Sequence, residues 1–249
     1  MDDLKTRYVR QMVLPDWGVP GQERIAHARV LIVGVGGLGG TASLYLAGAG
    51  VGTLLLNDFD RVDATNLHRQ LLFGEDDIGQ LKVESARTLL CGRNHSITIE
   101  TLPERLAEDE LHATVATVDL VVDASDNFPT RDLVNRACRQ HRRPLVTGAC
   151  IRYEGQLAVF DFRRPDSPCY TCLFPDCAAF EPLETCSVNG ISGPVAGVIG
   201  SLQAQATLDI LAGRPVPWAG VLLTFDARRG TFRRVRLARD PDCRTCGRG

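Results

Sequence analysis

The chain alternates short apolar runs with longer stretches whose apolar positions recur every three or four residues. Val30-Leu31-Ile32-Val33 is one such run, followed by a glycine-rich turn and a helical pattern that reaches Ala49. Thr53-Leu54-Leu55-Leu56 is a second, stopped by Asn57-Asp58. Residues 78–93 predict a helix with Ala86, Leu89 and Leu90 on one face. Ile97-Thr98-Ile99, Leu120-Val121-Val122 and Leu145-Val146-Thr147 predict further strands with helical patterns between them. Strands that alternate with helices form βαβ units, whose parallel sheet is covered on both faces and so is built from unbroken apolar runs.

The pattern changes after Gly148. Residues 156–162 are apolar on both faces, as an internal strand requires, and residues 164–190, rich in Pro and Cys without a period, predict a long loop. Val195, Val198, Ile199, Leu202, Ala206 and Ile210 trace one face of a long helix. Residues 221–225 and 231–237 predict a closing hairpin around Arg229-Gly230. The expected architecture is α/β: a Rossmann-like, mostly parallel sheet flanked by helices and extended by C-terminal antiparallel strands. No repeat or low-complexity tract divides the chain. It reads as a single domain over 1–249, with 1–150 as a nucleotide-binding half and 151–249 carrying the antiparallel strands, the loop and a docking half.

Composition narrows the class. With 249 residues, 44% hydrophobic and 23% charged, the chain can bury a core and is not disordered. Its 28 Lys+Arg against 30 Asp+Glu, a formal charge of −2, argue against a nucleic-acid binder. The acidic N-terminus has no apolar signal region, and the most apolar stretch, 193–213, is broken by Gln203, Gln205 and Asp209, so no membrane role is expected. Nine cysteines without an export signal point to metal or thiol chemistry in a cytoplasmic protein.

Gly34-Val35-Gly36-Gly37-Leu38-Gly39 matches G-x-G-x-x-G between a strand and a helix. Gly34, Gly36, Gly37 and Gly39 permit a tight turn and close approach of backbone N–H groups to phosphate. Asp58, at the end of the next strand, can accept hydrogen bonds from ribose hydroxyls. Taken alone the turn suggests a dinucleotide and an NAD-dependent oxidoreductase. The following Asn66-Leu67-His68-Arg69-Gln70 and Lys82 argue instead for ATP, since Asn66, Arg69, Gln70 and Lys82 supply amides and cations suited to a reacting triphosphate. A P-loop is excluded, because Gln80 stands where the nearest match would need Lys. Asp126, just past a strand end, can hold Mg²⁺ against the phosphates, or it can cap the next helix in competition with Asn127.

Two C-x-x-C pairs, Cys169/Cys172 and Cys243/Cys246, have the spacing of paired zinc knuckles. A redox dithiol is the competing reading, and Cys177 a competing ligand. A closed Cys₄ zinc site would be structural, pinning the C-terminal segment to the body. Cys186, before the long helix, is either a low-pKa nucleophile or an inert small side chain. Cys91, Cys138 and Cys150 fall inside elements and read as packed residues. The arginines of the last hairpin, Arg228, Arg229, Arg233, Arg234, Arg236 and Arg239, read as a solvated basic face rather than a docking patch.

In this order, Arg7-Tyr8-Val9-Arg10-Gln11, the glycine turn, Asp58-Phe59-Asp60, Asn66-Leu67-His68-Arg69-Gln70, Lys82, Asp123-Ala124-Ser125-Asp126-Asn127 and the Cys pairs resemble the bacterial E1-like adenylyltransferases, the ThiF/MoeB/HesA group related to ubiquitin-activating enzymes. Cys172-Leu173-Phe174-Pro175-Asp176 and the segment around Cys186 look closest to the ThiF type. The resemblance implies adenylation of the C-terminal glycine of a ubiquitin-like sulfur carrier ending in Gly-Gly, of ThiS type for thiamine or, alternatively, MoaD type for molybdopterin. It implies ATP, Mg²⁺ and structural Zn²⁺. It also implies a homodimer in which Arg10 reaches the partner's triphosphate, and a cysteine, here Cys186, that bonds to the carrier in some members. Since no rhodanese-like segment follows Cys246, a separate sulfurtransferase or desulfurase is expected as sulfur donor. No histidine, His68 included, is expected to be catalytic, because the carrier carboxylate is already ionised.

Overall fold

The computed structural model describes residues 2–175 and 190–247. Two helices, α1 (Asp2–Met12) and α2 (Gly18–His27), precede the first strand. Then come β1 (Arg29–Val33), α3 (Gly37–Ala49), β2 (Thr53–Asn57), α4 (Lys82–Arg93), β3 (Thr98–Leu102), α5 (Glu108–Ala116), β4 (Leu120–Asp123) and α6 (Phe128–Gln140). The remainder is β5 (Leu145–Ile151), β6 (Glu154–Phe160), α7 (Tyr170–Leu173), the long helix α8 (Gly193–Leu211), β7 (Val221–Asp226) and β8 (Thr231–Arg236).

The eight strands form one sheet in the order β3-β2-β1-β4-β5-β6-β7-β8. The first five positions are parallel and the last three junctions antiparallel. Pleating divides the apolar runs between two layers. Val30, Ile32, Leu54 and Leu56 join Leu46, Leu90 and Leu208 of α3, α4 and α8 on one side. Leu31, Val33, Leu55 and Val121 join Leu111, Val115, Val134 and Ala137 of α5 and α6 on the other. Because both layers are apolar, the strands show the continuous hydrophobicity that the sequence displays. The expected α/β architecture is what is found.

Differences lie at element ends and at the N-terminus. The hydrophobic pattern predicts no helix or strand before residue 30, yet α1 docks through Tyr8, buried and bonded to Asn94 Nδ2 at 2.8 Å and Ser96 at 3.1 Å. Helix α4 starts at Lys82 rather than at 78. Gly79 has φ +86°, and Leu81 pairs with Arg61 in an isolated bridge, so the chain before Lys82 is turned away from the helix. The expected loop over 164–190 contains the short helix α7, while residues 176–189 are outside the described part. Among the described residues no helix is long and apolar enough to cross a membrane.

Helix α8 lies directly on α3. At Gly200, an added Cβ would sit 2.5 Å from Leu38 O and 2.8 Å from the Thr41 Cβ, so the helices approach at a distance that only glycine allows. Gly200→Ala is expected to lower stability by about 1–3 kcal/mol through overpacking, read as a shift in the denaturation midpoint. An unchanged midpoint would show that the two helices separate without cost.

Candidate active site

A cleft of about 510 Å³ opens beyond the C-terminal ends of β1, β2, β4 and β5, where open α/β sheets bind ligands. Its floor is the glycine turn. Gly34 has φ +86°, and a Cβ there would lie 2.8 Å from Ala124 O. Gly36 and Gly37 line the cleft. Gly39 does not; a Cβ on it would meet Gly34 O at 1.8 Å, so its role is close packing of α3 under the turn. Helix α3 has Gly36 as its N-cap and so no side-chain cap, leaving the backbone N–H groups of its first turn for a ligand.

Asp58 is 9% exposed and holds the turn in place. Its Oδ2 accepts from Val35 N at 2.8 Å and its Oδ1 from Asp60 N at 2.9 Å. Burial raises its pKa above the usual carboxylate value, against the opposing pull of Lys82 and the two amides. The Lys82 ammonium, 5% exposed as a residue, donates to Asp60 Oδ2 at 2.8 Å. Lys82 therefore reaches the cleft already neutralised by Asp60, a residue of the Asp58-Phe59-Asp60 motif to which the sequence assigns no role of its own.

Arg69 and Gln70 line the cleft, whereas Asn66 stands behind them. Asn66 Oδ1 accepts from Arg69 at 2.8 Å and from Gln70 Nε2 at 3.2 Å, while Gln70 Oε1 is buried with no partner among the described residues. Asp126 is exposed on the cleft wall. The competition for the α6 cap resolves in favour of Asn127, whose side chain accepts from Thr130 N at 3.0 Å. Asp126 keeps a carboxylate free of capping and, among the described residues, receives a 3.3 Å contact from the Asn127 amide. Arg10 lies exposed on α1 and does not line the cleft of its own chain. None of the five histidines lines it either.

Several cleft residues escaped the sequence reading. Arg105 stacks over Phe59 at 4.4 Å on the rim. Cys150, expected to be packed, is half-buried on β5 in the cleft wall. Arg131, one turn into α6, donates to Ser125 O through Nη2 at 2.7 Å and Nε at 3.2 Å. Burial lowers its pKa, but Tyr170, Asp123 and Asp126 together raise it further, so it stays charged. The available signal was an arginine just after an N-cap at a strand end.

The four knuckle cysteines converge, with all Sγ atoms within 4.8 Å of one another. Neighbouring sulfurs are 3.3–3.8 Å apart, close to the roughly 3.8 Å edge of a tetrahedron with 2.3 Å zinc–sulfur bonds. Burial and Cys172 drive the Cys169 thiol strongly up, and burial with the Cys172 contact pushes Cys246 up to about 11. Cys243 is buried too, but amides of Cys246 and Thr245 hold it below the ordinary thiol value. Four sulfurs at this spacing match the donor set of a closed Zn²⁺ site, which a dithiol pair alone would not require. Arg239, expected on a solvated face, instead donates to Cys246 O and braces the second knuckle. The other hairpin arginines are exposed. Cys177 and Cys186 lie outside the described residues.

Residues 8–245 match the ThiF family. The chain is 45% identical over 246 residues to the molybdopterin-synthase adenylyltransferase of Escherichia coli, covering 99% of this chain and 98% of that one. It is 47% identical over 242 residues to the adenylyltransferase and sulfurtransferase MOCS3 of Sus scrofa, covering 97% of this chain but only 53% of the relative. The chain thus spans about half the length of the MOCS3 relatives that it matches. Among solved structures, E. coli MccB with MccA-N7isoASN is similar at a TM-score of 0.83 and 25% identity, over 97% of this chain and 75% of that one. Fold, cleft and sequence agree: the chain belongs to the ThiF family.

Proposed function

We propose that the protein is an ATP-dependent adenylyltransferase acting on the C-terminal glycine carboxylate of a ubiquitin-like sulfur carrier of the MoaD type. The observation that carries this reading is the convergence of the glycine turn, Arg69, Lys82 and Asp126 in one cleft. The carrier carboxylate attacks the α-phosphate of ATP, the bond to the β-phosphate oxygen breaks, and pyrophosphate leaves an acyl-adenylate on the carrier. The barrier is the approach of one anion to another. Backbone amides of the α3 N-terminus and the guanidinium and ammonium groups lower it by offsetting charge and fixing the line of attack. Asp58 accepts the ribose hydroxyls. Lys82 exchanges or shares Asp60 for phosphate oxygen.

Asp126 presents a lone carboxylate beside the phosphate site, the donor set that Mg²⁺ favours when it keeps most of its waters. The cation supplies charge neutralisation when bound. The cysteine tetrad would hold zinc and fasten the last segment to α7. Arg10, exposed on α1, is proposed to complete the site of a second copy.

The sequence alone favoured a ThiS-type carrier and thiamine biosynthesis. The relatives named molybdopterin-synthase adenylyltransferase, matched end to end, support the MoaD alternative instead. The relatives are named adenylyltransferases, and an oxidoreductase reading leaves Lys82 and Asp126 without work.

Carrier-dependent ATP–pyrophosphate exchange tests the activity. A MoaD-type carrier ending in Gly-Gly should exceed a ThiS-type one about tenfold or more, equivalent to about 1.4 kcal/mol; equal rates, or the reverse order, would remove the MoaD assignment. Asp126→Ala should slow exchange by about 10²–10³-fold with an unaltered thermal midpoint, and near wild-type exchange would refute its role. Metal analysis should find about one zinc per chain, lost in Cys172→Ser together with several degrees of thermal stability. A metal-free wild type of normal stability would exclude the zinc site.

A further inference from the structure

The turn that carries Asp126 is held from three sides. Asp123, 1% exposed, accepts from Ser125 N at 3.0 Å and from the Ser125 hydroxyl at 2.6 Å through Oδ1. Its Oδ2 accepts from Thr147 at 2.8 Å, and its carbonyl accepts from Gln203 of α8 at 2.8 Å. On the third side Arg131 grips the Ser125 carbonyl with two nitrogens. The remaining arm of the same guanidinium reaches the Tyr170 hydroxyl at 3.5 Å.

Tyr170 lies between Cys169 and Cys172. Its amide donates to Asn135 Oδ1 at 2.9 Å, Asn135 donates to Thr171 at 3.1 Å, and Thr171 meets Thr245 of the second knuckle at 2.9 Å. Arg244 and Thr171 both reach Asp132 Oδ1 at 3.4 Å. Helix α6 is thus fastened to both knuckles along one flank, and its first turn holds the cleft wall.

We infer that Arg131 is a positioning residue that fixes the Ser125-Asp126 turn and, through Tyr170, transmits the rigidity of the cysteine tetrad to it. The tetrad thereby acts on the cleft as well as on stability. A fork with two carbonyl-directed donors and a third donor on a knuckle residue can do this; a lysine, with one point charge, cannot span both. The inference rests on the adenylation reading only for its effect on turnover.

The test is amide hydrogen exchange by mass spectrometry on zinc-loaded protein, comparing wild type, Arg131→Met, Tyr170→Phe and the double variant. Arg131→Met should speed exchange over residues 124–127 by about tenfold or more, and Tyr170→Phe by about threefold. The double variant should match Arg131→Met alone, because both substitutions remove one linkage. Zinc content and exchange around 169–172 should not change in Arg131→Met. In pyrophosphate exchange its kcat should fall about 10–100-fold while the KM for ATP moves less than about threefold. Unchanged exchange at 124–127 in Arg131→Met, or additive effects in the double variant, would overturn the inference. If Arg131→Met does not fold, Arg131→Lys takes its place and should raise exchange to the Tyr170→Phe level; wild-type protection there would equally refute it. An inactive wild type with the expected exchange pattern would instead count against adenylation and leave the linkage standing.

Discussion

The approach of Gly34 to the carbonyl of Ala124 sets the geometry on which the cleft depends. These two turns leave adjacent parallel strands, β1 and β4, at the point where the strand order reverses direction. With no Cβ at Gly34 the turns touch through backbone alone. Any side chain there would push the α3 N-terminus away from Asp126, and the amides and the carboxylate would no longer face one ligand. Asp58 locks the other flank by accepting from Val35 N.

Two cations of the cleft, Lys82 and Arg69, are held in place before a ligand arrives. Lys82 is buried and would be costly as an isolated cation; Asp60 offsets that cost from a more exposed position. Arg69 is held by Asn66 and the Thr65 carbonyl, so its side chain is aimed in advance. Preorganisation of this kind lowers the reorganisation needed when a polyanion binds.

The C-terminal half braces this arrangement from two directions. Helix α8 presses on α3 through Gly200 and reaches the β4 end through Gln203. The cysteine tetrad holds α6 through Asn135, Asp132 and Arg131. The first brace packs Ala196 and Ile199 directly on Leu38 of the glycine turn, and the second fixes the wall that faces it.

Apolar runs, the glycine turn and the paired Cys spacing were enough to read the α/β class, the nucleotide turn and the tetrad from sequence, because each is a local pattern with a local cause. Element starts set by distant pairing were not readable: α4 begins at Lys82 because Leu81 pairs with Arg61. Nor were partners readable when the interaction joins separate segments, as for Lys82 with Asp60 or Arg131 with Tyr170. The choice of Asn127 over Asp126 as helix cap was equally closed to the sequence, since both residues cap well and only the backbone path decides which oxygen meets Thr130 N. Sequence by itself determined which chemistries were available; the tertiary structure decided which charge neutralises which, because that depends on distances between segments far apart in the chain.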